Sequence, residues 1–145
     1  MNSREIEQFL KSEKYFMGCF AYDNLPKFPN EFPAKIIINT GSIKTEGDHW
    51  ISIIMKSKKC FYFDSFGLPV LNKEILYWLK EKYNTLTYSN ICIQNFDSSM
   101  CGAFCIAFLE KVQDRKSFQN FLNSFSHITL LENDYIIEDY LKDRL

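Results

Sequence analysis

The spacing of apolar residues changes period several times along the chain, and each change predicts an element. Ile6, Phe9 and Leu10 recur at helical intervals, so residues 2–12 predict a short helix with Ser3 as its N-cap. Residues 17–33 are interrupted by Asn24-Leu25-Pro26 and Phe28-Pro29-Asn30, which predicts irregular loop. Ile36-Ile37-Ile38 predicts a buried strand over 34–39, and a second loop follows over 40–48. Two strand-like runs, 50–55 and 60–64, flank the polar Lys56-Ser57-Lys58-Lys59, a linker of hairpin length. After a loop over 65–71, Ile75, Leu76, Leu79 and Tyr83 predict a helix over 72–83 that Asn72 caps. Residues 90–94 predict a short strand. Asp97-Ser98-Ser99 then offers caps for a helix from about Met100 to Val112, apolar nearly all round and hence central and buried. Two more helices, over 116–125 and 130–141, complete an α+β pattern: a small sheet with helices packed around it.

Composition narrows this picture. A chain of 145 residues with no evident linker predicts a single domain over 1–145. An apolar fraction of 46%, with 17% aromatics, predicts a packed core rather than disorder. Seventeen basic against 18 acidic side chains leave a net charge of −1, which argues against a protein held on nucleic acid by phosphate contacts. No apolar run approaches the ~20 residues of a membrane-spanning helix, and the first residues lack the apolar stretch of a signal peptide. Five cysteines are an odd number, so at least one thiol is free and a reducing compartment is expected.

Cys101 differs from Cys19, Cys60, Cys92 and Cys105 by standing at the start of the buried helix, where unpaired N–H groups and the helix dipole stabilise a thiolate. Gly102 follows, without a side chain to obstruct an approaching backbone. A nucleophilic thiol needs a base, and there are two histidines. His127 lies between two late helices with no obvious partner, whereas His49 sits where a loop enters a strand. Antiparallel pairing of 50–55 with 60–64 sets the start of one strand beside the end of the other, so Asp64 falls next to His49 and can hold its far nitrogen. Gln94, seven residues before Cys101, can offer its amide to a developing oxyanion. Taken singly, each has a plainer reading: a core cysteine, a hydrogen-bonded histidine, a turn aspartate, a surface glutamine.

As an ordered set they carry a resemblance. Tyr15-Phe16-Met17-Gly18, Ile37-Ile38-Asn39-Thr40, Glu46-Gly47-Asp48-His49-Trp50, Phe63-Asp64-Ser65-Phe66-Gly67-Leu68, Gln94 and Asp97-Ser98-Ser99-Met100-Cys101-Gly102-Ala103-Phe104-Cys105 resemble the adenovirus-type cysteine endopeptidases, relatives of the SUMO-specific proteases. The likeness runs from about Tyr15 to Leu109. It implies a papain-like, adenain-like fold, with Cys101 as nucleophile, His49 as general base, Asp64 as its orienting acid and Gln94 as oxyanion donor. It implies that Trp50 and Gly102 border a narrow substrate cleft and that cleavage favours Gly-Gly or Gly-X-Gly stretches. Many adenoviral members carry Glu where Asp64 stands.

The resemblance implies viral precursor polypeptides as substrates, an enzyme working as a monomer in the nucleus or cytoplasm of an infected cell, and packaging into the virion. No cofactor or metal is required by the sequence. The family's activating viral peptide is a further expected partner, and Cys92 is the nearest thiol to the position that pairs with it. DNA stimulation is not expected, since residues 127–145 hold five acidic against two basic side chains; no membrane partner is expected either. Three rival readings are a deubiquitinase- or deSUMOylase-like isopeptidase on the same fold, a non-catalytic binding module, and a metal site built on Cys101, Cys105 and a histidine. Two cysteines on one buried helix supply too few ligands for the last.

Overall fold

The computed structural model describes residues 1–41 and 49–144. Its centre is a five-stranded mixed sheet in the order β1-β2-β3-β4-β5: β1 (Phe16–Ala21), β2 (Ala34–Asn39), β3 (Trp50–Met55), β4 (Cys60–Phe63) and β5 (Thr87–Tyr88). The outer pairs β1/β2 and β4/β5 are parallel, and the inner pairs β2/β3 and β3/β4 are antiparallel. The helices are α1 (Ser3–Phe9), α2 (Lys73–Lys80), α3 (Cys101–Lys111), α4 (Arg115–Asn123) and α5 (Leu130–Lys142). The α+β architecture expected from the sequence is the one observed.

Both faces of the sheet are covered, which is why its inner strands read as unbroken apolar runs. Successive side chains point to opposite faces. Ile36, Ile38, Ile51, Ile53, Met55, Cys60 and Tyr62 pack against Ile75, Trp78 and Leu79 of α2. Ile37, Trp50, Ile54, Phe61 and Phe63 pack against α3, α4 and the buried positions of α1 and α5.

Helix α3 is anchored through its C-terminal half. Phe63 of β4 stacks on Phe108, with centroids 4.8 Å apart and planes 5° from parallel, and Phe118 and Phe121 of α4 meet both rings edge-on. At the C-terminal end the buried Lys35 donates to the Leu109 carbonyl at 2.6 Å and to Glu13 at 2.7 Å. That ammonium lies where the helix dipole is negative. These contacts set the depth and direction of the helix, and with them the location of residue 101.

Several local expectations are corrected. Asn2, not Ser3, caps α1, through a capping box with Glu5. Residues 16–21 form strand β1, which takes in the first five residues of the stretch over 17–33 expected to be loop. This edge strand is half-buried throughout, its pairing slips between Phe16 and Cys19, and Gly18 has φ of +131°, so no regular alternation marks it. Residues 90–94 are not a strand; the fifth strand is Thr87–Tyr88. β4 ends at Phe63, one residue early. Asp97, Ser98 and Ser99 do not cap α3: its N-cap is Met100, and no side-chain cap bond is made. Of the loop expected over 40–48, residues 42–48 lie outside the described residues.

Candidate active site

The β3–β4 hairpin does what its length predicted. Its register runs from Met55↔Cys60 to Ser52↔Phe63, and carrying it past the last rung brings residue 49 opposite residue 66, with Asp64 alongside. His49 Nε2 and Asp64 Oδ1 are 2.8 Å apart, in a pair with side chains only 15% and 7% exposed. Asp64 Oδ1 also accepts the Phe66 N–H at 2.8 Å. The Phe66 ring stacks on the imidazole, centroids 4.7 Å apart and 26° from parallel. The His49 carbonyl is held by the Thr40 N–H at 2.8 Å, so the end of β2 fixes the backbone that carries the ring.

With Nε2 committed to Asp64, the imidazole also interacts with the Cys101 side chain. Cys101 is the first residue of α3, whose N-terminus is left without a side-chain cap. Its sulfur interacts with the backbone N–H groups of Gly102 and Trp50, which favour its charged form. Burial alone pushes the thiol up, but the His49 hydrogen bond, these N–H groups and the imidazolium charge outweigh it and hold Cys101 below the ordinary thiol value. Burial likewise opposes charge on His49, yet its bonds to Asp64 and Cys101 raise it to about 9. The arrangement favours a thiolate–imidazolium pair. The other thiols go the opposite way: burial raises Cys19 and Cys60 to about 12 and lifts Cys92 and Cys105 as well.

Gln94 is buried at 1% exposure. Its Oε1 accepts from the Ser65 hydroxyl, and its Nε2 donates to the Ser98 carbonyl at 2.9 Å. An amide nitrogen has two hydrogens, and among the described residues the Ser98 carbonyl takes one of them. The segment carrying Gln94 is clamped to the turn after Asp64: the Ile93 and Gln94 N–H groups both donate to the Ser65 carbonyl, at 2.9 and 3.1 Å. Gly67 permits this closeness. At φ of +75°, a Cβ there would lie 2.7 Å from the Ile91 backbone carbon.

From the other side, α5 holds the same segment. Buried Asn133 donates to the Ile93 carbonyl at 2.8 Å, and Asp134 accepts from the Ser98 hydroxyl at 2.9 Å. Ser98 Oγ in turn accepts the Met100 N–H at 3.1 Å.

Thus the structure brings His49, Asp64 and Cys101 together, with His49 bonded to Asp64 and interacting with Cys101. His127 is exposed, bonded to the Leu122 carbonyl at 2.8 Å. Trp50 and Gly102, expected to border a narrow cleft, are both covered. Trp50 is 9% exposed in the core, its indole donating to the Met1 carbonyl at 3.0 Å. A Cβ on Gly102 would meet Ile6 at 3.2 Å and Met1 at 3.3 Å, because the N-terminal segment packs there. Both residues serve the site through their main-chain N–H groups instead. Glu46-Gly47-Asp48 lies outside the described residues. Ser65, Phe66, Asn133 and Asp134 escaped sequence reasoning; a polar residue beside the orienting acid was the one available signal.

The chain is similar to known proteins over most of its length. The model of the adenovirus endoprotease family matches residues 16–134, which contain His49, Asp64, Gln94 and Cys101. The protease of Human adenovirus A serotype 12 is 30% identical over 127 residues, covering 71% of this chain and 61% of its own. That of Avian adenovirus 8 is 33% identical over 113 residues, covering 65% of this chain and 53% of its own. The chain therefore spans about three fifths or less of these curated relatives. The crystal structure of the ASFV pS273R protease aligns with 92% of this chain and 66% of its own, at a TM-score of 0.47 and 15% identity. Because the family model takes in most of the chain, from β1 into α5, this chain belongs to the adenovirus endoprotease family.

Proposed function

We propose that this chain carries out cysteine endopeptidase chemistry on viral precursor polypeptides. The observation that supports the reading is the line Asp64–His49–Cys101, with the sulfur at the uncapped N-terminus of a buried helix. In the proposed reaction the Cys101 thiolate attacks the scissile carbonyl carbon, and its oxygen takes the negative charge. The free N–H of Gln94 and the backbone N–H groups at the start of α3 are its donors. The intermediate collapses with cleavage of the C–N bond, and the His49 imidazolium gives its proton to the leaving amine. A water then attacks the thioester, giving its proton to His49, and releases the carboxylate and the thiolate. Asp64 keeps the ring in the tautomer this shuttle requires. Gly-Gly or Gly-X-Gly stretches are the proposed cleavage sites, carried over from the family resemblance.

The test is an assay of the chain on Gly-Gly peptides and on ubiquitin-like fusions, with and without viral peptides and DNA. Cleavage of the peptides is expected, and Cys101→Ala should fall below about one-thousandth of the wild-type rate while keeping the wild-type circular dichroism spectrum. Cleavage of the fusions alone would favour the isopeptidase reading. Turnover by folded Cys101→Ala would contradict the nucleophile assignment.

A further inference from the structure

Gln94 can serve an oxyanion only if its amide nitrogen, not its oxygen, faces the reacting carbonyl. A carboxamide is nearly symmetric in shape, so packing alone does not choose between its two orientations; hydrogen-bond partners must. Two partners grip it. The Ser98 carbonyl is an acceptor only and draws Nε2 to itself at 2.9 Å. The Ser65 hydroxyl donates to Oε1, committing its proton to the amide oxygen.

Ser65 does more than hold one atom. It is fully buried, its carbonyl receives the Ile93 and Gln94 N–H groups at 2.9 and 3.1 Å, and it directly follows Asp64, whose carboxylate holds His49. One residue thereby ties the backbone and the side-chain orientation of Gln94 to the acid that sets the imidazole. We infer that Ser65 is a positioning residue that fixes the Gln94 carboxamide with its second N–H free for the oxyanion. The inference deepens the proposed protease reaction and rests on it for its kinetic consequences.

The experiment has a kinetic arm and an arm independent of turnover. Removing an oxyanion donor outright costs roughly 10²–10³ in kcat, so Gln94→Ala is expected near the lower figure, and Ser65→Ala, which loosens the donor without removing it, near a tenfold loss with KM changed by less than about twofold. The double variant should match Gln94→Ala alone, because Ser65 acts through Gln94. In protein labelled with 15N at glutamine, the Gln94 side-chain amide, assigned by its loss in Gln94→Ala, should exchange slowly in the wild type and fast in Ser65→Ala. Ser65→Cys, close in size but a weak donor, keeps the test available where Ser65→Ala unfolds, with the same direction expected. Wild-type kcat in Ser65→Ala or Ser65→Cys, losses that multiply in the double variant, or unchanged amide exchange would overturn the inference. An inactive wild type would instead count against the protease reading and leave the exchange arm to decide the role of Ser65.

Discussion

Cys101 and His49 shift each other's proton affinity in opposite directions, and the consequence is a pH window. Cys101 is held below the ordinary thiol value, so its charged form is favoured by the fold and is lost as pH falls through that lowered value. His49 is raised from 6.5 to about 9, so its charged form persists through neutrality and is lost as pH rises through about 9. A kcat/KM profile should rise as the thiol ionises and fall on the alkaline side near 9, with the ion pair dominant between. Asp64→Asn should move the alkaline limb downward, since the carboxylate is one of the groups that raise His49; an unmoved limb would remove Asp64 from that role. The three residues of this line were legible in the sequence because each rests on a local signal: a helix start, a strand start, and an acid one hairpin away. Ser65 and Phe66 were not, because their partnerships are tertiary. Ser65 meets Gln94 across 29 residues, and the Phe66 stack depends on the register of a turn beyond the last paired rung.

Among the elements, the decisive contact joins the turn over 64–67 to the segment over 91–94. Gly67 sits where φ is positive and where a Cβ would strike backbone 2.7 Å away, so neither strain nor clash can be relieved by a side-chain rotation. Gly67→Ala should cost roughly 1–3 kcal/mol from conformation alone, and more from the clash, lowering Tm by about 5 °C or more in a thermal melt. It should also impair turnover, since the displaced segment carries Gln94. A wild-type melting temperature would contradict this account. The same contact explains why 90–94 reads as a strand and is none. Ile93 is buried and Ile91 and Cys92 are half-buried, but the Ile93 and Gln94 N–H groups go to a single carbonyl rather than to a ladder. β1 was missed for the converse reason: it is a strand by pairing, while Gly18 and its half-buried side chains hide the period. Helices α2 and α4 followed their amphipathic spacing and their caps, Asn72 and Asp114.

At the scale of the whole molecule, a sheet covered on both faces places the N-terminus of a buried helix against a hairpin edge, and the Cys101 sulfur lies at that junction. The chain reaches this arrangement while spanning 61% of the length of its Human adenovirus A serotype 12 relative. Its described residues already contain the line from acid to imidazole to sulfur, together with the helix α5 contacts that hold the Gln94 segment. The central claim is that, of five thiols, this fold favours the charged form at Cys101 alone among those it shifts, through its contact with His49. The most direct measurement is the rate of iodoacetamide alkylation at each cysteine against pH, read by peptide mass spectrometry in the wild type and in His49→Ala. The account predicts that at about pH 7 Cys101 is modified well ahead of Cys19, Cys60, Cys92 and Cys105, and that His49→Ala shifts its inflection upward and slows it. Modification of another cysteine first, or a Cys101 inflection that His49→Ala leaves unchanged, would contradict it.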